Sequence, residues 1–334
     1  MGEYFGFQFA PLNTPFQRRL EMIAIIIMFT IIFQCLMIPF IILKYPDVWP
    51  VAILYFTYLY FDKSYENGGR GSNFFRNMPF WKWLANYFPI KIHKEHKLDP
   101  KHSYVIGYHP HGIFTTGAMI GFGSEGAGVS EIFPDLKIHV LGLDLIFKVP
   151  IYRDLALWMG SCSVSKKSIC NILKRGPGRA VIIVVGGAQE ALLTKPELSD
   201  LVLVNRYGFV KLAIIHGSHL VPIFAFGENK IFDQAVLKEG TVGKYIQDGI
   251  KKHLGFSTPL FYGRNVFMYN CGTLPHRRPI NIVVGKPIPV EKVENPSLEH
   301  IQKVHAEYIE ALKDLYERNK DTYYPEGAPP LNII

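Results

Sequence analysis

Two apolar runs stand near the amino terminus, ahead of any regular alternation between apolar and polar residues. The first covers residues 22–43 and contains no charged side chain. In a helix that rises about 1.5 Å per residue it would be about 33 Å long, enough to cross the core of a bilayer. The second covers residues 48–61 and is shorter and rich in aromatic residues, which is typical of a tilted or re-entrant helix. Together the two runs predict a membrane hairpin over residues 22–61.

Basic residues around the hairpin indicate its orientation. Arg18 and Arg19 precede the first run, four Lys and Arg residues follow the second between residues 63 and 82, and the connecting loop holds only Lys44. Because cytosolic flanks are enriched in Lys and Arg, both ends of the hairpin are predicted to be cytosolic. A cleaved signal peptide is the alternative, but it needs a shorter apolar region and a small-residue cleavage site, and neither is present.

The chain therefore divides into three predicted parts. Residues 1–21 form a cytosolic amino-terminal segment, residues 22–61 form the hairpin, and residues 62–334 form a cytosolic domain held against the membrane. Within that domain, residues 62–77 are polar and Gly-rich and are interpreted as a linker. Residues 80–88 carry six large apolar side chains. This composition indicates either a helix lying at the lipid headgroups or a core helix.

From about residue 103 onward, short β-branched runs alternate with segments of helical periodicity, which is the pattern of an α/β domain. The last predicted helix begins at Asn295 as its cap, with Pro296 at its first position. The predicted strands are 103–108, 180–185, 219–226 and 280–284, and the predicted helices are 113–120, 206–215, 242–254 and 295–319.

The composition adds a membrane and an anionic partner to this picture. Hydrophobic residues make up 49% of the chain, aromatic residues make up 14%, and the formal net charge is +8. This combination favours phospholipid headgroups or a phosphorylated substrate as partners. Nucleic acid is not expected, because the aromatic residues cluster in apolar segments instead of interleaving with Lys and Arg. The four cysteines are scattered and form no disulfide framework, which favours a reducing compartment.

Two histidines mark the strongest candidate for chemistry. His109 and His111 flank Pro110 at the end of the predicted strand 103–108, and Gly112 then frees the backbone. A histidine at a strand end beside a helix start is well placed to act as a base. A packed structural histidine is the ordinary alternative. A metal site is not predicted, because no Cys or third His stands nearby with ligand spacing.

Acidic residues follow two other predicted strands. Glu190 follows the strand 180–185 and could reach His111, since the carboxyl ends of parallel strands share one edge of an open sheet. Such a carboxylate would fix the tautomer of the imidazole, as the third member of a catalytic triad does. A surface position for Glu190 is the alternative. Glu228 follows the strand 219–226, and its role stays open.

Arg206 and Lys211 lie on one predicted helix, where Gly208 lets the backbone approach a ligand. They could bind phosphate groups, or simply form a solvated helix face. A glycine pattern at residues 121–126 has the spacing of a dinucleotide-binding fingerprint, but it follows a helix where the fingerprint requires a strand. A nucleotide cofactor is therefore not expected.

Several of these motifs together resemble the type-two diacylglycerol acyltransferase family, with its monoacylglycerol acyltransferase and wax synthase relatives. The resemblance implies a glycerolipid-acyltransferase-like mixed sheet flanked by helices, behind an amino-terminal transmembrane hairpin. The motifs that carry it are Tyr87-Phe88-Pro89, His109-Pro110-His111-Gly112, Val185-Gly186-Gly187-Ala188-Gln189-Glu190, Arg206-Tyr207-Gly208-Phe209-Val210-Lys211-Leu212-Ala213, Val221-Pro222-Ile223 and Phe226-Gly227-Glu228-Asn229.

The resemblance also implies a reaction. Acyl-CoA would be the donor and co-substrate, with no other cofactor, and diacylglycerol the acceptor, with monoacylglycerol or a long-chain alcohol as alternatives. It implies residence in the endoplasmic reticulum membrane or on lipid droplets, and a homo-oligomer is left open. More distant glycerolipid acyltransferases carry an aspartate five residues after their histidine, where this chain has Thr116 after His111 and Phe114 after His109. Glu190 is our substitute partner for the histidine by inference.

The predicted mechanism uses His111 to remove the proton from the acceptor hydroxyl and then to protonate the leaving thiolate, without an acyl-enzyme. Backbone N–H groups after Gly112 would meet the oxyanion. A membrane-anchored lipid-binding protein is a non-enzymatic alternative, which would tolerate loss of His111 and Glu190. A lipid hydrolase would need a Gly-x-Ser-x-Gly motif, and none occurs. The candidate catalytic residues are His111, His109 and Glu190, and the candidate substrate-binding residues are Gly112, Arg206, Gly208, Lys211 and Glu228.

Overall fold

The computed structural model describes residues 3–4, 7–11, 13–235, 240–241, 245, 249 and 259–334. The strands are β1 (Glu3–Tyr4), β2 (Phe7–Gln8), β3 (Lys91–Lys94), β4 (Tyr104–His109), β5 (Lys137–Gly142), β6 (Cys162–Ser163), β7 (Arg179–Val184), β8 (Ser199–Leu201), β9 (His219–Phe226), β10 (Asp233–Ala235), β11 (Leu260–Tyr262), β12 (Asn281–Val284) and β13 (Leu331–Ile333). The helices are α1 (Phe16–Lys44), α2 (Trp49–Phe61), α3 (Asn73–Arg76), α4 (Pro79–Tyr87), α5 (Thr116–Gly123), α6 (Val129–Ile132), α7 (Tyr152–Trp158), α8 (Lys166–Leu173), α9 (Gly187–Leu193), α10 (Gly208–His216) and α11 (Leu298–Tyr323).

A seven-stranded mixed sheet with the order β3-β12-β9-β4-β7-β5-β6 forms the centre of the domain. The strands β4, β5, β6, β7 and β9 run parallel, while β12 runs antiparallel to β9 and parallel to β3. All six residues of β4 are buried, as expected for a central parallel strand covered on both faces. The carboxyl ends of β7, β4 and β9 therefore lie side by side at one edge of the sheet.

Helices cover both faces of this sheet. Because side chains alternate along a strand, Tyr104, Ile106 and Tyr108 of β4 join one apolar core, while Val105 joins the other. The first core includes buried residues of α1, α4 and α5, and the second includes those of α8, α10 and α11. The α/β class with a mixed sheet flanked by helices is thereby confirmed.

The first apolar run lies within α1, which is about 43 Å long at 1.5 Å per residue. Among the described residues it is the one helix long and apolar enough to cross a membrane. Ala24 and Ile25 are buried against the domain, whereas Phe33, Phe40 and Leu43 are exposed. The amino-terminal half of α1 thus packs on the sheet domain, and its carboxyl-terminal half presents apolar side chains outward.

The second apolar run forms α2, whose 13 residues extend only about 20 Å and are too short to cross a bilayer core alone. None of its residues is buried. Its attachment is polar: the Tyr55 hydroxyl donates to Asp154 Oδ2 at 2.5 Å and accepts from the Ile151 N–H at 2.7 Å. The hairpin geometry stays a prediction, but α2 is fixed to the loop before α7 and to α7 itself.

The segment interpreted as a linker is packed against the domain instead. Asp62 accepts a hydrogen bond from Arg153 at 2.5 Å, and Arg70 forms an ion pair with Asp154 at 2.8 Å. Arg76 pairs with Glu125 at 2.7 Å. The linker interpretation is therefore wrong: its charged residues are the partners of charged residues on the domain.

The position of α4 decides between the two interpretations of residues 80–88, a helix at the lipid headgroups or a core helix. Trp81, Leu84 and Tyr87 of this helix are buried. Its main contact is with α1 and the core, so the core-helix alternative is the one observed.

Element boundaries differ from the sequence-based ones where local capping decides them. The helix predicted from residue 113 begins at Thr116, after a turn. The cap of α11 is Ser297, whose hydroxyl accepts from the His300 N–H at 3.1 Å, and not Asn295. β13 follows β12 and pairs with β8, so residues 280–284 are not the last strand. The predicted helix 242–254 lies largely outside the described residues.

Candidate active site

Three loops at the carboxyl edge of the sheet bring together a histidine and two glutamates. His111 follows β4, Glu190 lies in the first turn of α9 after β7, and Glu228 follows β9. Since β7, β4 and β9 are neighbours, the histidine stands between the two carboxyl groups. This edge is where open α/β sheets place their ligands.

The backbone sets the position of the His111 ring. The His109–Pro110 peptide is cis, and Gly112 has a φ of +62°, a conformation that favours glycine. The imidazole Nδ1 lies 2.9 Å from the Gly112 carbonyl oxygen. That oxygen can only accept, so Nδ1 carries the proton and Nε2 keeps the basic lone pair.

The electrostatics of this ring suit a base. No described residue forms a hydrogen bond with Nε2 of His111. The residue keeps partial exposure at the sheet edge. Burial lowers the pKa of His111, which keeps the imidazole neutral at physiological pH. A neutral ring with a free Nε2 is able to accept a proton.

Glu190 supports the loop and not the ring. Its Oε1 accepts a hydrogen bond from the His111 backbone N–H at 2.5 Å, and its Oε2 accepts from the Val202 N–H at 2.9 Å. The expectation that this carboxylate fixes the imidazole tautomer is therefore wrong, because the Gly112 carbonyl does so. Burial raises the pKa of Glu190 to about 7, against the lowering effect of its two N–H donors.

Glu228 lies behind the same loop and is fully buried. It accepts from the Tyr108 hydroxyl at 2.9 Å and from the Gly117 N–H at 3.0 Å, which joins β4, β9 and α5. A Cβ added to Gly112 would lie 2.8 Å from Glu228 Cγ, so only glycine fits at position 112 beside this side chain. Burial raises the pKa of Glu228 to about 7.

His109 points away from this cluster. It is completely buried, and its Nε2 lies 2.9 Å from the hydroxyl of Tyr308 in α11. Its Nδ1 is buried without a partner among the described residues. Burial lowers the pKa of His109 to about 3, which keeps it neutral. Tyr308 could not be identified as this partner from the sequence, because a residue of a distant helix shows only its place in an apolar stripe.

Backbone donors for an oxyanion remain after Gly112. The N–H of Gly117 is already bound to Glu228. In the described part of the chain, the N–H groups of Ile113 and Phe114 have no hydrogen-bond partner. These two donors lie one and two residues beyond Gly112, in the turn that leads from His111 to α5.

The predicted phosphate-binding residues stand to one side of the cluster. Arg206 precedes α10, and its Nη2 contacts the Gly186 carbonyl at 3.4 Å and Gln189 Oε1 at 3.3 Å. Lys211 is exposed on α10. Gly208 opens that helix, and a Cβ placed there would meet no atom within 4 Å. Arg206 is thus near the Glu190 loop, while Lys211 and Gly208 face open space.

An apolar cavity of about 380 Å³ extends along α1 from the loop that contains His111, residues 110–115, which we call the His111 loop. Thr115, in the turn after His111, lines one part of it. Ile27 and Ile31 of α1, Met119 of α5 and Ala156 of α7 are among its other lining residues. Its volume falls within the range of about 300–1,000 Å³ that small-molecule sites occupy. No cluster of potential metal ligands occurs among the described residues.

Comparison with known proteins agrees with this arrangement. A family model described as "Diacylglycerol acyltransferase" matches residues 41–332. The chain is 43% identical over 330 residues to "Diacylglycerol O-acyltransferase 2B" of Umbelopsis ramanniana, covering 97% of this chain and 95% of that protein. It is 41% identical over 327 residues to "Diacylglycerol O-acyltransferase 2" of Dictyostelium discoideum, covering 98% and 99%.

Two further comparisons extend this result. The chain is 41% identical over 322 residues to "2-acylglycerol O-acyltransferase 1" of Bos taurus, covering 95% of this chain and 96% of that protein. The solved 1-acyl-sn-glycerophosphate acyltransferase of Thermotoga maritima matches 90% of this chain and 98% of that chain, at 9% identity and a TM-score of 0.40. Such a structural likeness is too low to add to the fold described above. The family model and the full-length relatives confirm the resemblance carried by the motifs, and the chain belongs to the diacylglycerol acyltransferase family.

Proposed function

We propose that this protein is an acyl-CoA-dependent O-acyltransferase that esterifies the free hydroxyl of diacylglycerol to give triacylglycerol, with His111 as the general base. The family and the names of its relatives support the reaction class and both substrates. The observation that carries the role of His111 is the contact between its Nδ1 and the Gly112 carbonyl, which leaves Nε2 free. No cofactor beyond the co-substrate acyl-CoA is proposed.

The reaction proceeds through one tetrahedral intermediate. Nε2 of His111 takes the proton of the acceptor hydroxyl while the oxygen attacks the thioester carbonyl carbon. The N–H groups of Ile113 and Phe114 donate to the oxyanion. The C–S bond then breaks, and the imidazolium returns its proton to the CoA thiolate. A base of this kind contributes about 10²- to 10⁴-fold in rate.

The two glutamates act through the loop. Glu190 holds the His111 N–H, and Glu228 holds the first turn of α5 and presses against Gly112. They are positioning residues, since neither touches the imidazole. His109 positions β4 against α11 through Tyr308. These assignments replace a relay in which a carboxylate contacts the ring.

The names of the relatives support the proposed acceptor, and α1 supports the proposed location. Relatives are named for diacylglycerol and for 2-acylglycerol, so monoacylglycerol is the second candidate acceptor and a long-chain alcohol the third. The exposed apolar half of α1 supports membrane association. We place the protein in the endoplasmic reticulum membrane, or on lipid droplets, with α2 as a second membrane-contacting helix and the sheet domain in the cytosol.

An acceptor panel tests this function. The purified protein in neutral detergent is incubated with labelled acyl-CoA and, separately, with diacylglycerol, monoacylglycerol, a fatty alcohol or water alone. The proposal expects triacylglycerol as the main labelled product. Transfer only to monoacylglycerol or to the alcohol would correct the acceptor, release of free fatty acid in water would indicate a hydrolase, and no turnover in any arm would contradict the enzymatic function.

A further inference from the structure

A large cationic cavity opens at the amino-terminal end of α1. It has a volume of about 800 Å³ and lies where the segment before α1 and the first turns of α1 meet the loop between β11 and β12. Five arginines and one histidine line it: Arg18, Arg19, Arg264, Arg277, Arg278 and His276. We call it the arginine cavity. Neither the candidate active site nor the predicted phosphate-binding residues include any of these side chains.

Little negative charge balances these guanidinium groups. Glu21 pairs with Arg277, and at 3.8 Å with Arg18, so one carboxylate serves two arginines. Asp233 is taken by His276 at 2.8 Å. Within the described part of the chain, the arginine cavity therefore keeps an excess of positive charge.

Besides the shared Glu21 carboxylate, aromatic rings and backbone oxygens hold several of these arginines. The Arg277 guanidinium lies 4.3 Å from the centre of the Tyr87 ring, and that of Arg264 lies 4.4 Å from the Tyr269 ring. Arg264 is buried. The guanidinium of Arg278 has no partner among the described residues, and this residue is exposed. Such pre-positioned guanidinium groups match the geometry of phosphate oxygens, which they bind bidentately.

A short chain segment links the arginine cavity to the His111 loop and the helix α5 that follows it. Arg278 is followed by Pro279 and Ile280, and a Cβ on Gly117 would lie 3.0 Å from Ile280 Cγ2. Gly117 is the residue whose N–H binds Glu228. The cavity is thus two residues away in sequence from a direct contact with the first turn of α5.

The membrane helix provides a second link. Phe29 of α1 packs against Phe114, three residues after His111, with ring centres 5.4 Å apart. From Arg19 to Phe29 the helix rises about 15 Å. Met28 and Ile31, in the adjoining turns, line the apolar cavity. Along α1, therefore, the arginine cavity comes first, and the His111 loop and the apolar cavity lie together beside the next turns.

We propose that the phosphate groups of the acyl-CoA donor bind in the arginine cavity, and that its acyl chain occupies the apolar cavity along α1. In acyl-CoA a neutral arm likewise separates the phosphorylated head from the thioester and its apolar chain. This inference rests on the proposed function. It places the phosphates away from Arg206 and Lys211, because Arg206 already donates to Gly186 and Gln189 and Lys211 stands alone on an exposed face.

The donor's own chemistry provides the test. We would compare wild-type protein with Arg278→Gln, which removes one exposed charge and no contact between described side chains. The donors are acyl-CoA and S-acyl-pantetheine, which shares the thioester but lacks phosphate. Lys303→Gln, an exposed lysine on α11, is the charge-matched control.

The expected result is a loss for one donor only. Arg278→Gln should lower kcat/KM for acyl-CoA by about tenfold or more through KM, the range for losing one charge-assisted hydrogen bond. It should leave S-acyl-pantetheine within twofold, and weaken CoA binding in neutral detergent by a similar factor. Loss of less than twofold for acyl-CoA, or an equal loss for both donors, would overturn the inference. A selective loss in Arg206→Gln instead would move the phosphates to that residue.

A second experiment tests whether the acyl chain occupies the apolar cavity. Ala156→Phe fills part of the apolar cavity, so it should reduce kcat/KM for long-chain donors more than for short-chain ones. An equal effect on both would contradict this placement of the acyl chain.

A third experiment, flotation with phosphatidylserine and phosphatidylcholine vesicles, tests lipid headgroups as the other source of phosphate. If Arg278→Gln weakened binding to anionic vesicles but not to CoA, the arginine cavity would be a headgroup site.

Failure of this inference and failure of the proposed function give different results. CoA binding that depends on Arg278 with no acylated acceptor would leave the binding site in place and reject the enzymatic function. Acyl transfer that is unchanged in Arg278→Gln would support the enzymatic function and reject the arginine cavity as the phosphate site.

Discussion

The role of His111 depends on which ring nitrogen carries its proton. The carbonyl of Gly112, the next residue, accepts from Nδ1, so a contact within one turn of backbone decides the tautomer. That contact requires Gly112 in its left-handed conformation, with φ +62°. Glu228 fills the space on the other side of this glycine. His111, Gly112 and Glu228 together thus determine which ring nitrogen of His111 keeps its lone pair.

Gly112→Ala should disable the enzyme through its contact with Glu228. The added Cβ meets Glu228 Cγ at 2.8 Å, so the loop must shift and move the ring. We expect kcat to fall at least tenfold, in addition to about 1–3 kcal/mol of backbone strain. Gly176→Ala is the matched control, because Gly176 also has positive φ, +89°, but no atom lies within 4 Å of its added Cβ. Equal activity of the two variants, measured with saturating acyl-CoA, would show that the contact is irrelevant.

The buried carboxyl of Glu228 predicts a particular pH dependence of stability. Its folded pKa is raised from 4.5 to about 7, so the folded state holds the proton more tightly than the unfolded state does. The stabilisation is present in full below about pH 4.5 and is lost as the pH rises through 7. The Tm of the wild-type protein, relative to that of Glu228→Gln, should therefore fall as the pH rises from 5 to 8.

Thermal unfolding in detergent at several pH values measures this difference. The exposed Glu131→Gln serves as control and should follow wild type throughout. A wild-type protein that gained stability over Glu228→Gln with rising pH would mean that the carboxylate form is preferred in the fold.

Helix α2 shows how an apolar element can be held by polar contacts. Its large side chains are exposed, and its hold on the domain comes from Tyr55 on Asp154 and Ile151, with the Leu59 carbonyl accepting from Arg153 at 3.1 Å. Tyr152 and Ala156 of α7, which this attachment supports, line the apolar cavity. In this way α2 is connected to a wall of the candidate acyl-chain site.

Tyr55→Phe should loosen that connection. The hydroxyl gives one hydrogen bond and receives another, so its loss leaves Asp154 and the Ile151 N–H short of a partner. We expect about 1–3 kcal/mol of destabilisation, measured as a lower Tm in detergent. Tyr60→Phe, at a position that is 75% exposed on the same helix, is the control and should change Tm little. Equal Tm values for the two variants would show that α2 is not attached through Tyr55.

The sequence predicted the central strands well, because β-branched runs buried on both faces leave a continuous apolar signal. It also predicted α1 and the shared edge that brings His111, Glu190 and Glu228 together. It placed helix starts two or three residues early at Thr116 and Ser297, since a turn or a capping hydroxyl decides such boundaries locally.

The sequence does not predict which partner an individual polar atom binds. Glu190 binds a backbone N–H, and no residue pattern distinguishes that from binding the ring. The arginine cavity joins residues 18–19 to residues 264–278, so no sequence window contains it. The polar stretch at residues 62–77 resembles a linker in the sequence, because its ion-pair partners lie about 50 to 90 residues further along the chain.

Across the whole molecule, α1 passes the arginine cavity, the proposed base and the apolar cavity, and the sheet carries the proposed base at the end of its central strand. The central claim is that His111 is that base. Its most direct measurement is acyl transfer to diacylglycerol by His111→Ala, alongside CoA binding by the same variant. Loss of at least 10²-fold in kcat with CoA affinity within twofold of wild type is the predicted result. Wild-type transfer by the variant would contradict the account.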